Sequence, residues 1–224
     1  MIGIIAAMDL EVDAIVEQAS VVKKEYHGIT FYEGSLGNQN VVIMKSGVGK
    51  GNAAMSATIL NERYILEGVI NIGTAGGLKP EEQILDAVLS ERVVQHDFDT
   101  SAVDGNDGIG LYFDADPRLL DVSKTVLREL GVKVHQGLVA SGDQFIADEK
   151  ILEELTHKFP LAMCAEMEAG AVAQVCAHYQ VPFVVLRSLS DVACHKDSHM
   201  DFLEYAGSAS KRSAQFCYEL MRRL

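Results

Sequence analysis

The chain has 224 residues, 48% of them hydrophobic, and its 32 acidic against 19 basic side chains leave a formal charge of −13. That length suits one α/β domain with a substantial core, and the acidic balance argues against nucleic acid or an anionic membrane as partner, since both need a cationic surface. No apolar run approaches the ~18 to 20 residues of a membrane span, and Cys164, Cys176, Cys194 and Cys217, with no CxxC pair among them, read as reduced thiols of a cytoplasmic protein rather than as a zinc site or disulfide framework.

The N-terminal MIGIIAAMDLE lacks a basic start and runs directly into acids, so it reads as a first strand and not as a secretion signal. A helical pattern follows over residues 9–19. EYHGITFYEGSLGNQNVVIM reads as consecutive strands joined by Gly and Asn turns, which makes the sheet mixed. Helix 52–64 leads to the strand GVINIGTAGG. Residues 96–117, rich in Asp and Gly, read as a long functional or partner-contacting loop. GLVASGD then precedes helix 148–158, LAMCAEME precedes helix 169–178, and VPFVVLRSLSD precedes helix 202–223. This βαβ alternation predicts a single α/β domain over residues 1–224, with a central mixed, mostly parallel β-sheet flanked by helices.

The residues after each strand share one edge of such a sheet, where ligands bind in open α/β folds. They are Met8 and Glu11, then Ser46 to Gly49, then Gly73-Thr74-Ala75-Gly76-Gly77, Gly142 to Ile146, Glu166-Met167-Glu168, and Arg187 to Asp191. Glycines and carboxylates dominate. Met8 and Glu11 are three apart at a helix start and can face a pocket together; taken alone, Glu11 is more simply explained as a first-turn acid favoured by the helix dipole. Strand alternation would put Glu166 and Glu168 on one face, where two carboxylates repel unless one binds something, and a helix N-cap is the competing reading for either. Asp191 reads either as a site acid or as a cap where a buried strand meets a loop.

Three motifs are discounted. SGVGKG lacks P-loop spacing, because Gly51 stands where a Mg-binding Ser or Thr should follow Lys50, and GTAGG is not GxGxxG. CHKDSH (Cys194 to His199) and HDFD (His96 to Asp99) lack regular metal-ligand spacing and read as loop residues, so no metal is expected.

Taken in order, GIIAAMDLEV, KSGVGK, INIGTAGGL, HDFD, SGDQFI, AEMEAGAVAQVC and VPFVVLRSLSDVA resemble the bacterial 5′-methylthioadenosine/S-adenosylhomocysteine nucleosidases of the purine nucleoside phosphorylase superfamily. The resemblance covers nearly the whole chain. It implies a nucleoside phosphorylase-like fold, a homodimer, a small-molecule nucleoside substrate and no cofactor. It further implies that Glu11 activates the attacking water, Asp191 protonates adenine at N7, and Glu168 with Met167 holds the ribose. Phe145 and Ile146 match adenine-binding positions, and Met8, Val48 and Phe202 an apolar 5′-alkylthio pocket. Thr74, Gly76, Arg187 and Ser190 would line the same site, and Thr100 and Val103 would reach the neighbouring subunit's. Thr74 is bulkier than the Ser of some relatives, and Val103 replaces an aromatic.

Overall fold

The computed structural model describes residues 1–26, 28–193 and 198–224. β1 (Ile2–Ala6) leads into α1 (Asp9–Val16), and β2 (Ser20–Tyr26), β3 (Ile29–Leu36) and β4 (Gln39–Lys45) form the expected antiparallel run. α2 (Lys50–Arg63) precedes β5 (Gly68–Gly77) and β6 (Ala87–Asp99). α3 (Ser101–Asp104), a 3-10 turn over Gly105–Gly108, β7 (Ile109–Asp114) and α4 (Pro117–Glu129) come next. β8 (Val134–Ser141), α5 (Glu149–Lys158), β9 (Ala162–Glu166), α6 (Ala169–Tyr179), β10 (Phe183–Val192) and α7 (Ser198–Arg223) complete the chain.

Alternation along the strands sorts the core into two layers. Ile4, Ile43 and Ile70 point to the side covered by α1, α4 and α7, where Ile15, Leu119 and Phe216 meet them. Ile5, Val42, Met44 and Val69 point the other way, against Ala53, Ala57 and Leu60 of α2 and Val172 and Cys176 of α6. Each such buried aliphatic side chain contributes roughly 1.5–3 kcal/mol over its exposed state, so both faces need helices and the strands read as continuous apolar runs.

The strands join in one sheet whose central ladders, β4–β1–β5–β10 and β6–β8–β9, are parallel. Antiparallel joins link β10 to β6 and β9 to β5, so β5, β10, β6, β8 and β9 close on themselves. β5 thus has two neighbours along one edge. Its first residues pair with β1 and its last two, Gly76 and Gly77, with β9.

Two expectations are corrected. Residues 96–117 are not a loop: β6 continues to Asp99 and β7 pairs back on it. The Asp and Gly residues mask a short, half-exposed strand whose alternation is interrupted by Gly110. Arg187, Ser190 and Asp191, expected beyond the last strand, lie inside β10, all ten residues of which are buried.

Candidate active site

Where β5 passes from β1 to β9 its edge opens, and a cleft of about 560 Å³, open solvent at its mouth included, occupies the gap. Met8 and Glu11 reach it from the start of α1, Thr74 and Gly76 from β5, Met167 and Glu168 from the β9–α6 junction, and Ser190 and Asp191 from β10.

At one end sits Glu11, 4% exposed. Its Oε2 accepts the N–H groups of Ala7 (2.9 Å) and Met8 (3.0 Å), and its Oε1 accepts Thr74 N (2.9 Å) and Thr74 Oγ1 (3.2 Å). Both readings of this residue therefore hold together: Glu11 caps the N-terminus of α1 at N3 and also lines the cleft. Gly73 must lack a side chain, because a Cβ there would lie 2.7 Å from Glu11 Oε1.

At the other end β10 slips register against β5 between Leu189 and Asp191. A bulge of this kind re-aims a side chain, and here it turns Asp191 toward Gly76, where a Cβ would come within 2.9 Å of Oδ2. Ser190 Oγ donates to Asp191 Oδ1 (2.9 Å). Burial pushes the Asp191 carboxyl up to about 6; the nearby Asp201 adds to this and the Ser190 hydrogen bond opposes it.

Glu166 and Glu168 do not share a strand face. β9 ends at Glu166, and Glu168 is the N-cap residue of α6. Glu166 accepts the N–H groups of Glu168 (3.0 Å) and Ala169 (2.8 Å) and a hydrogen bond from Arg187 Nη2 (2.6 Å). The Glu168 carboxylate accepts one hydrogen bond among the described residues, from Gly49 N (2.9 Å). Burial and the adjacent Glu166 charge push it up to about 7. Arg187 lies outside the lining of the cleft: its guanidinium, 1% exposed, is held by Glu166 and by Asn71 Oδ1 (2.6 Å). Two charges buried this deeply must be paired, and β5 and β9 supply both acceptors.

Apolar walls complete the cleft. Phe145 and Phe202 meet edge to face at 5.5 Å, with Val48 also on the lining. Ile146 lines an adjoining recess that shares Phe145, Met167 and Asp191. Thr100 caps α3, and Val103 on α3 is 86% exposed. In HDFD, Asp97 pairs with Lys50, Asp99 accepts Ser101 N (2.9 Å), and burial pushes His96 down. CHKDSH lies outside the described residues, apart from the backbone of the last two. Among the described residues no three side chains converge as a metal would require.

Sequence reasoning placed Gly73 at a strand end without its close approach to Glu11, and missed the anchoring role of Glu166. The first depends on Glu11, which is far from Gly73 in sequence. The second depends on Arg187 and Asn71, which are distant in sequence.

The chain matches the phosphorylase superfamily over residues 1–222. It is 37% identical to a 5′-methylthioadenosine/S-adenosylhomocysteine nucleosidase of Oceanobacillus iheyensis, covering 100% of this chain and 99% of that one. Among solved structures it resembles the Neisseria meningitidis nucleosidase of the same name in complex with methylthio-immucillin-A, with a TM-score of 0.94, 30% identity, and 100% and 99% of the two chains covered. Futalosine hydrolase of Helicobacter pylori superposes with a TM-score of 0.93 at 30% identity, covering 100% and 97%.

Proposed function

This chain belongs to the phosphorylase superfamily, among its 5′-methylthioadenosine/S-adenosylhomocysteine nucleosidases, and on that premise we propose that it hydrolyses the N-glycosidic bond of both nucleosides. The products are adenine and 5-methylthioribose or S-ribosylhomocysteine. One observation carries the choice of water as nucleophile: among the described residues the cleft is lined by Glu11, Glu166, Glu168 and Asp191 and by no lysine or arginine. Phosphate would meet repulsion there, whereas its usual cradle is cationic.

Adenine leaves poorly as an anion. Protonation at N7 by Asp191, whose burial raises it toward neutrality, lets the C1′–N9 electron pair depart with a neutral base. The ribose acquires oxocarbenium character, which the Glu11 and Glu168 carboxylates stabilise. Water attacks C1′ and gives its proton to Glu11, whose oxygens are aimed by four donors. Glu168 accepts the sugar hydroxyls, and Met8, Val48 and Phe202 offer apolar contact to the 5′ substituent.

Adenine release from methylthioadenosine, followed with and without radiolabelled phosphate, tests this. The rate should not depend on phosphate; label appearing in a sugar 1-phosphate would establish phosphorolysis instead. A purine sensor without catalysis would bind adenine and release none. The homodimer belongs to the same reading: Phe98 and Val103 are exposed at the end of β6 and on α3, where a second copy would cover them, and sedimentation would report its mass.

A further inference from the structure

Two motifs remain outside the reaction so described: SGVGKG, whose Lys50 has the look of a phosphate ligand, and HDFD at the end of β6. They meet each other. Lys50 Nζ is ion-paired with Asp97. Lys50 N donates to Asp143 Oδ1 (2.7 Å), and Asp143 N donates to Asp97 Oδ2 (3.1 Å). The start of α2, the end of β6 and the segment after β8 thus close a ring of three contacts at the rim of the cleft.

Two sides of that ring carry cleft residues. Gly49, beside Lys50, donates its N–H to Glu168. Asp143 begins the irregular segment 142–147, which bears Phe145 and Ile146 and has no helix or strand ladder of its own. Apart from the ring, Gly142 N to Glu166 O (3.0 Å) and Gln144 N to Gly142 O (2.8 Å) are what its backbone donates among the described residues. The Lys50 and Asp97 side chains are 17% and 34% exposed, so solvent and salt screen the pair less than they would a surface pair. Desolvation works against ionising Asp97, but the Lys50 hydrogen bond and the Asp143 N–H outweigh it and hold Asp97 below its ordinary value.

We infer that Lys50 and Asp97 are positioning residues: their ion pair latches the Phe145–Ile146 segment onto the cleft, and the lysine of SGVGKG binds no anion. The inference rests on the nucleosidase reading. A released segment would spend only part of its time in the binding position, and apparent affinity falls by that fraction. Glu11 on α1 and Asp191 on β10 are mounted elsewhere, and Glu168 is carried by the N-terminus of α6 and takes a backbone N–H of Gly49 that side-chain changes at Lys50 leave in place, so the chemical step should keep its rate once substrate is bound.

The test uses the full chain and the variants Lys50→Met, Asp97→Asn, their double and Lys50→Arg. Calorimetric binding of adenine and steady-state cleavage of methylthioadenosine are measured on each and on the wild type. Each single variant should raise adenine Kd and KM about tenfold with kcat within about threefold, the signature of lost positioning rather than lost chemistry. The double should be no worse than the worse single, because both break one contact. Lys50→Arg should stay within about threefold of wild type, since it keeps the charge. An unchanged KM in both singles, multiplying effects in the double, or a fall confined to kcat would overturn the latch. Asp97→Asn preserves shape, so it still reports if Lys50→Met folds poorly. A wild type that binds adenine but releases none from nucleosides would sink the nucleosidase reading while the binding measurements still judge the latch. Failure of the wild type to bind adenine would remove both.

Discussion

The two ends of the cleft hold their carboxylates in opposite ways. Glu11 is tied by four hydrogen bonds, three of them from backbone N–H groups. Asp191, equally buried, takes one hydrogen bond, from the neighbouring Ser190, and burial pushes it up to about 6. Donors around a carboxylate fix the direction of its oxygens, whereas burial with few donors pushes a carboxyl toward its protonated form. On the proposed mechanism, the difference teaches that two buried carboxylates of similar type are distinguished by the donors around them.

The sharpest way to break this comparison is to remove the proton from one end. Asp191→Asn should lower turnover by of order 10²-fold or more while adenine binding, measured by calorimetry, persists. Turnover within a few-fold of wild type would take the acid role from Asp191. Glu11→Gln should cost of order 10²-fold in kcat as well, if water activation limits the rate; a variant that hydrolyses normally would reduce Glu11 to its capping role.

Smaller changes sharpen the contrast. Gly73→Ala places a Cβ 2.7 Å from Glu11 Oε1. The carboxylate must move by a few tenths of an ångström, and misplacement on that scale should cost about tenfold in kcat with little loss of thermal stability. A normal rate would mean that the four donors do not need their present geometry.

The pH profile separates the groups further. On the proposed mechanism Asp191 acts protonated and Glu168 ionised, so kcat/KM should be bell-shaped with its maximum between about 6 and about 7. Glu168→Gln should lose the acid limb and keep the alkaline one; survival of both limbs would assign the acid limb elsewhere.

The smallest effect is on stability. Because the folded-state value of Asp191 lies near 6 and its ordinary value is 3.8, the folded protein holds that proton more tightly than the unfolded chain. Below about pH 4 both states are protonated and its burial carries no ionisation cost. The cost grows as pH rises toward about 6 and is complete above it, at about 1–3 kcal/mol. Asp191→Asn should therefore be more stable than wild type by about that amount at pH 8 and by almost nothing at pH 4. Thermal melts at both pH values would contradict this if the difference were the same.

Local pattern made much of this legible. The apolar runs and the Gly and Asn turns were enough for the α/β class and for bringing Glu11, Glu168 and Asp191 to one cleft, because strand period, turn chemistry and ligand-facing strand ends are written in neighbouring residues; their proposed roles came from the family resemblance. β7 escaped because Gly110 and the surrounding acids obscure its alternation. What only the tertiary structure decided is the pairing of distant residues. β5 takes both β1 and β9 along one edge, which opens the cleft. Glu166 turns out to anchor Arg187 and the start of α6, with Arg187 beneath the cleft and outside its lining. Lys50 is spent on Asp97, 47 residues away. A charge's role follows from its partner, and in a buried or half-buried setting the partner is supplied by the fold.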